Sequence, residues 1–471
     1  MSRTVRNSLI VVAVLILAYP AFAWVLGMWV EHSWKEREQL GLQQIPGYAQ
    51  YVTIVKRDYR RGVYGATEEV TFRLGEKVLK AIRAFGNADS TGHIELTVRN
   101  TIHHGPFPQA RDFAPATVDT EWILPPEVHD KLMAAFKGKA NLTIHTRMNW
   151  SGGSTTLVHS PAFNVLLEKD ATMDWRGLEA RLVNGRELGS GSVSLTAPGL
   201  SLKSGQGQAA GFQDLKLEGT LQLAYEVLTV GDVKLTLGQV QIEDTNKPFK
   251  LAARNFTVES HSRLNGEFLD ADHAITIETL QVNTFDTNHI NYAARYTNMH
   301  APAAAALTKA LRTEQPDTPD TASPQEAAAA NTKRIFDALK GPGVDLLVKE
   351  PVVDITHLGF AMPEGALDIS LKASMPGVTK EELQGALDAV KTAFVKHLQM
   401  SADIRIDTAM LDKLLESTGK GENAAAQLQG LQRQGYIKLD GKALTTHLTY
   451  LGGQLKVNDQ PFPPRPSGAP Q

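Results

Sequence analysis

From Asn141 to Tyr296 the chain is an almost unbroken series of segments in which apolar and polar residues alternate. This pattern constrains the fold more than any other feature. Leu142/Ile144, Val193/Leu195, Leu200/Leu202, Leu215/Leu217, Leu221/Leu223, Val233/Leu235/Leu237, Val240/Ile242, Phe256/Val258 and Ile275/Ile277 each point one way. Their neighbours on the other side are mostly Ser, Thr, Lys, Gln and Glu. A period of two is the signature of a strand with one wet face, and Gly, Asn and Asp break the series about every 8 to 12 residues. The expectation is an antiparallel meander. No fixed repeat signature accompanies it, which argues against a propeller or solenoid.

Composition excludes several classes. The 471 residues are 42% hydrophobic and 21% charged, which fits neither wholesale disorder nor a polytopic membrane protein. Lys and Arg number 48 against 51 Asp and Glu, a net charge of -3, so no global basic excess points to nucleic acid. Cysteine is absent, which removes disulfides, thiol catalysis and cysteine metal sites.

Leu9 to Val30 is a run of 22 residues without a charge. As a helix rising about 1.5 Å per residue, it reaches across the roughly 30 Å hydrocarbon core of a bilayer. Arg3 and Arg6 precede it, favouring a cytoplasmic N-terminus, and Trp24, Trp29 and Trp34 crowd its far end. Ala21-Phe22-Ala23 also fits a signal-peptide cleavage pattern, with the cut after Ala23. Apolar sequence continues through Val30, so an uncleaved anchor is the favoured reading. Either way, the bulk of the chain is expected outside the cytoplasm.

The expected organisation is a stub and transmembrane anchor over 1–31, an N-terminal α+β part over 32–140, and the meander over 141–312. A Pro-rich linker or loop over 313–330, a C-terminal α+β part over 331–460 and a Pro-rich tail over 461–471 follow. Helices are expected at Glu76–Ala84, after Pro125-Pro126 (Val128, Leu132, Met133, Phe136), at Ala301–Leu311 and at Gln325–Leu339. Strands are expected over Val344–Leu371, and short helices at Leu411–Leu415 and Ala424–Leu431 ahead of a terminal hairpin. Thr379-Lys380-Glu381-Glu382 reads as a capping box opening a helix with an apolar stripe of Leu383, Leu387, Val390, Phe394 and Leu398.

Signals for chemistry are weak. Gly205-Gln206-Gly207-Gln208-Ala209-Ala210 matches a dinucleotide fingerprint only in letters, because a strand rather than a helix follows it. His93, His103 and His104 carry no partner pattern at metal-ligand spacing. Asp354 and His357 fall on opposite faces of a strand, and neither a serine elbow nor a phosphate loop is present. Arg57, Arg60 and Arg61 form a basic cluster that reads as a solvated turn, with lipid headgroups as the other reading. No catalytic, cofactor-binding or metal-binding residue is assigned, and no cofactor is implied.

Three segments together resemble the YdgA-like family of bacterial envelope proteins, whose molecular function is not established. They are Ala23-Trp24-x-x-Gly27-x-x-x-Glu31; Tyr59-x-Arg61-Gly62-Val63, followed later by His104-Gly105-Pro106-Phe107-Pro108; and Tyr450-x-x-Gly453-Gln454-Leu455-x-Val457-Asn458. Met28-Trp29 stands where a relative can carry lysines. The resemblance implies an inner-membrane-anchored periplasmic protein, and supplies no catalytic residue. Physically, His-Gly-Pro-Phe reads as a rigid corner: Gly105 takes positive φ, Pro106 fixes its own, and Phe107 anchors the corner in a core.

The expected fold class is α+β, a large, mostly antiparallel twisted sheet system with a few packing helices behind one transmembrane helix. The leading functional expectation is non-enzymatic binding of an apolar ligand, lipid or partner protein through the sheet, along an apolar groove with Leu217, Leu223, Leu235 and Ile277. An enzyme acting on an envelope component and a structural scaffold or homo-oligomer are the alternatives. Partners are then the inner membrane through residues 9–30 and an envelope lipid, envelope protein or second copy, with no nucleic acid.

Overall fold

The computed structural model describes residues 19–35, 51–76, 78–79, 94–123, 142–166, 170–186, 189–205, 207–225, 227–246, 249–313, 337–385, 387–417 and 421–462. The helix expected after Pro125-Pro126, most of the one at Glu76–Ala84, residues 314–336, the tail from 463, His93 and residues 9–18 lie outside them. The chain divides into two compact units, residues 1–202 with 216–223, and residues 203–215 with 224–471.

The first unit opens with helix α1 over residues 19–35. Its strands are β1 (Val52–Arg61), β2 (Gly65–Leu74), β3 (Glu95–His104), β4 (Ala116–Ile123), β5 (Thr143–Met148) and β6 (Ser154–Ser160). A side hairpin, β7 (Phe163–Leu166) with β8 (Thr172–Trp175), separates these from β9 (Leu178–Asn184) and β10 (Ser190–Lys203). Each strand from β1 to β6 pairs antiparallel with the next, then β6 pairs with β9 and β9 with β10. An up-and-down order of this kind puts the β1–β2, β3–β4 and β5–β6 connections at one end of the sheet. Val30 of α1 packs with Ala66, Ile102, Ala116, Val118 and Met148 in a sealed core, flanked by Trp34 and Tyr59.

Strand β11 (Gln208–Ala224) contributes residues to both units. The second unit continues with β12 (Leu228–Asp244), β13 (Phe249–Asn265), β14 (Phe268–Val282) and β15 (Phe285–His300). Helix α2 (Ala301–Thr313) follows, and α3 (Val344–Leu347) precedes β16 (Val352–Met362) and β17 (Gly365–Ser374). Helices α4 (Lys380–Gln384) and α5 (Leu387–His397) lead to β18 (Gln399–Asp407), and α6 (Thr408–Ser417) and α7 (Gly421–Arg433) come next. The end is β19 (Lys438–Asp440), β20 (Ala443–Leu451), β21 (Gln454–Val457) and β22 (Gln460–Pro461). Neighbours from β12 to β18 pair antiparallel in sequence order, and β18 then pairs with β20. The meander is therefore real, and the architecture is mostly antiparallel β with a few helices.

At 15 to 17 residues, β12–β15 are far longer than the five or six residues of an average strand. Their apolar alternation slips by one residue midway. Val233, Leu235 and Leu237 give way to Val240 and Ile242, while Ile275 and Ile277 give way to Leu280 and Val282. Asp214 (φ 55°), Asn255 (φ 50°) and His289 (φ 52°) fall along this line in β11, β13 and β15. A left-handed residue inside a strand takes one position out of the alternation, as in a bulge, so the slip matches the kink. Asn255 hydrogen-bonds the Glu278 carboxylate across it.

Among the described residues, which leave out 9–18 of the apolar run, no helix is long and apolar enough to cross a membrane. The described part of the apolar run is α1, whose Ala23, Gly27 and Val30 are buried, Val30 in the sealed core of the sheet. The capping box at Thr379 and Glu382 is present, but the helix stops at Gln384 and restarts at Leu387. Leu383 and Ala393 are buried, whereas Phe394 is exposed, so the stripe expected of one long helix is broken. Residues 344–347, expected as strand, are helical because Val344 and Leu346 join cores under α2 and α4. The glycine-rich stretch is a strand connection: β10 ends at Lys203, β11 starts at Gln208, and Gly207 donates to the Ser204 carbonyl.

Candidate functional site

The first two resemblance segments meet where α1 lies on β1–β3. One face of α1 carries small side chains, Ala23 and Gly27, and the imidazole of His104 fills the space they leave. A Cβ on Gly27 would come within 2.5 Å of His104 Cε1, so only glycine admits the ring. His104 is 1% exposed, and its Nδ1 lies 2.9 Å from the Ala23 carbonyl oxygen. A carbonyl only accepts, so Nδ1 carries a proton. Nε2 has no hydrogen-bond partner. Burial holds the His104 pKa below its ordinary value, only partly opposed by the backbone groups of Ala23 and Gly65.

A second contact lies lower on α1. Glu31 accepts from Lys35 at 2.7 Å and from Arg61 at 3.1 Å, and the Arg61 guanidinium sits 4.4 Å from the Trp24 ring centre. Beneath it, Glu68 is fully buried and accepts from Trp34 Nε1 at 2.8 Å, Arg57 Nε at 2.7 Å and Asn100 Nδ2 at 2.8 Å. Asn100 in turn accepts from Thr120 at 2.7 Å. Tyr59 packs between Lys35 and this carboxylate, and its hydroxyl pKa is pushed up to about 12, by burial first and then by Glu31 and Glu68. The reading of Arg57, Arg60 and Arg61 as a solvated turn therefore fails: all three lie in β1, and only Arg60, which pairs with Asp58, is solvated. Trp24 and Trp34 serve the sheet.

The His-Gly-Pro-Phe corner exists, with Gly105 at φ 134° and Pro108 buried. Its anchor is not Phe107. That side chain is 53% exposed, and His104 is the buried member. Phe107 lies outside because the corner turns after Gly105, whose amide bonds the Pro115 carbonyl at 3.1 Å, and directs Phe107 toward Phe113 at 5.4 Å. Gly62 closes the β1–β2 turn by donating to the Gly65 carbonyl, and Pro106 is half-buried. The structure thus brings Tyr59, Arg61 and His104 to α1, while Gly62 stays in the β1–β2 turn.

In the second unit, the third segment is a hairpin closure. Asn458 donates to the Gly435 and Tyr436 carbonyls and accepts from the His447 amide. Elsewhere, Leu235, Leu237, Phe256, Val258, Ile275, Ile277, Ile290 and Tyr292 occupy matched positions on β12–β15 and are all half-buried, none sealed. Leu217 and Leu223 are likewise half-buried in their own strand. On the polar side, Asp232–His261 (2.9 Å), Lys234–Glu259 (2.7 Å) and Arg295–Asp272 (2.7 Å) form cross-strand pairs. Glu259, His261, Asp272 and Arg295 of these pairs line a depression of about 190 Å³ over Ala274 and Ala293. Among the described residues no group of three or more His, Asp or Glu is placed to hold a metal ion. Asp354 and His357 do not form a pair with each other: His357 bonds Asp368 at 3.0 Å, and Asp354 sits opposite Arg295 and Lys372.

Glu68 and Asn100 were not anticipated, although a signal existed. Glu68 shares strand parity with buried Ala66 and Val70, and Asn100 with buried Val98 and Ile102. A polar residue at an inward position announces a partner.

No curated protein and no solved structure matches this chain. A family model described as bacterial protein of unknown function (DUF945) matches residues 1–465. A match over nearly the whole length spans both units and all three segments, and the chain belongs to the DUF945 family of bacterial proteins.

Proposed function

We propose that this chain is a membrane-anchored protein of the bacterial envelope that binds an apolar ligand, most simply a lipid acyl chain, on the half-buried face of β12–β15. One observation carries the reading. Four adjacent strands present eight large apolar side chains in register, and none of them reaches the burial of a core. The buried apolar residues on these strands are the smaller Val230, Ala271 and Ala294, and Ala303, Ala304 and Leu346 form a buried cluster where α2 meets Leu228 and Met299. A strand of 17 residues is about 55 Å long, and four strands are about 19 Å across. Apolar surface of that extent gains roughly 25 cal/mol per Å² on being covered, which favours an occupant. The uncharged run from Leu9 and the resemblance to YdgA-like proteins support the envelope placement.

The test is organic extraction of the purified full chain followed by mass spectrometry. A stoichiometric lipid that is lost in Leu235→Asp and Ile277→Asp, with unfolding otherwise unchanged, is the expected result. A lipid-free chain, or one whose lipid survives both substitutions, overturns the reading.

A further inference from the structure

At the end of the first sheet where α1 begins, three connections expose large aromatic and aliphatic side chains. The β1–β2 turn offers Val63 and Tyr64, the β3–β4 connection Phe107 and Phe113, and the β5–β6 turn Trp150. They touch in sequence: Tyr64 to Tyr19 of α1 at 5.9 Å, Phe107 to Phe113 at 5.4 Å, and Phe113 to Trp150 at 5.3 Å. The Tyr19 hydroxyl donates to the Phe107 carbonyl at 3.3 Å and links the two halves of the row. Phe113 is 61% and Trp150 42% exposed, yet their backbones are tied down. Arg147 donates to the Phe113 carbonyl, Asn149 to Gly153, and His104 to Tyr64. A fixed row of wet aromatic rings is an interaction surface.

The occupant follows from α1. Its outward positions, Phe22, Val25, Met28 and Trp29, are exposed and apolar, while its inward positions meet the sheet. Upstream, Leu9 to Ala18 continue the uncharged run, and as a helix those ten residues reach only about 15 Å, half of a bilayer's hydrocarbon core. The rest of the span has to come from residue 19 onward, where the aromatic row stands. Tyr and Trp are the side chains that settle at the boundary between hydrocarbon and headgroups. We infer that the loop tips carrying Tyr64, Phe107, Phe113 and Trp150 insert into the bilayer interface beside α1, so that the first sheet stands on the membrane rather than hanging from it by a tether. This rests on the membrane-anchor part of the proposed function.

The chain contains no cysteine, so single labels are unambiguous. Nitroxides are placed at Phe113→Cys, Trp150→Cys and, at the far end of β3, Glu95→Cys, in the full chain reconstituted into phosphatidylethanolamine/phosphatidylglycerol vesicles. Collisions with dissolved oxygen should exceed those with a water-soluble nickel chelate at 113 and 150, and fall below them at 95. Labels at 113 and 150 that behave like 95 in a chain that floats with vesicles overturn the inference and spare the anchor. Labels shielded from both reagents mean a protein partner or second copy on the row, and overturn it too. A chain stripped from vesicles by alkaline carbonate overturns the anchor reading and this inference with it.

Discussion

Beneath α1, strands of eight to ten residues bury Val70, Ile102 and Val118 to 1% exposure or less, whereas in β12–β15 the matched residues Leu237, Phe256 and Ile277 stay half-wet. Strand chemistry is the same in both places. The difference is the reach of the cover. A helix of 17 residues extends about 25 Å, comparable with a ten-residue strand of about 33 Å, so α1 can close its sheet. Helix α2, with 13 residues, reaches about 20 Å against strands of about 55 Å. Closure by a helix also permits buried polar groups, because Trp34 and the Ala23 carbonyl supply partners that Glu68 and His104 need. Length in a strand, without matching length in its cover, leaves a surface for something else.

The largest break in this comparison should come from Glu68→Ala. It leaves Trp34 Nε1, Asn100 Nδ2 and the Arg57 guanidinium without their acceptor, and losing one partner of a buried ion pair costs about 3–5 kcal/mol. Urea unfolding of the full chain reads this as a lower midpoint for the transition of the first unit. A midpoint shift no larger than that of Leu235→Ala would show that the α1 node is no tighter than the long sheet.

Next comes the close approach at Gly27. Gly27→Ala forces the His104 ring to move, and overpacking of this kind costs about 1–3 kcal/mol. In a His104→Ala background the same change should be nearly free, and a double-mutant cycle with no coupling would refute the contact. The pH dependence has a definite sign. The folded pKa of His104 lies below its unfolded value near 6.5, so the unfolded state binds the proton more readily. Its stabilising contribution is complete above about pH 6.5 and declines as pH falls toward the folded pKa. His104→Gln should flatten stability over that window.

Much of this was legible in the chain before any coordinates. The meander, the hairpin at the C-terminus, the Thr379 cap and the Gly105 corner are local events, written in period-two alternation, turn residues and cap spacing. What was not legible depends on parity matched across strands. Phe107 looked like an anchor because it is large and follows Gly-Pro, yet the buried residue is His104, selected by the space at Gly27 some 77 positions earlier. Glu68 carries no signal until its parity with Ala66 and Val70 is counted. The slip between Leu237 and Val240 was visible, but not its cause, since Asp214, Asn255 and His289 line up only once the register is known.

In the long sheet, Leu235→Ala and Ile277→Ala should each cost about 1–2 kcal/mol. Fully buried leucine or isoleucine truncations cost about 2–5 kcal/mol, and half-buried side chains lose less contact. Added lipid should raise the cost, since a covered side chain has more to lose. Equal values with and without lipid would mean that this face binds nothing.

The smallest effect is expected at Phe107. An exposed side chain away from a core changes stability by about 0.5 kcal/mol or less when truncated, so Phe107→Ala should leave the unfolding midpoint in detergent essentially unmoved. Its ring touches Phe113, and its carbonyl, which the substitution keeps, still accepts from Tyr19. In vesicles the outcome differs, because there the ring would sit in the interface beside α1 and its removal would weaken the seating of the row. Thermal unfolding of wild type and Phe107→Ala in both media separates the two settings. A loss of about 3 kcal/mol already present in detergent would return Phe107 to the core and undo the distinction between His104, which the sheet buries, and Phe107, which it offers outward.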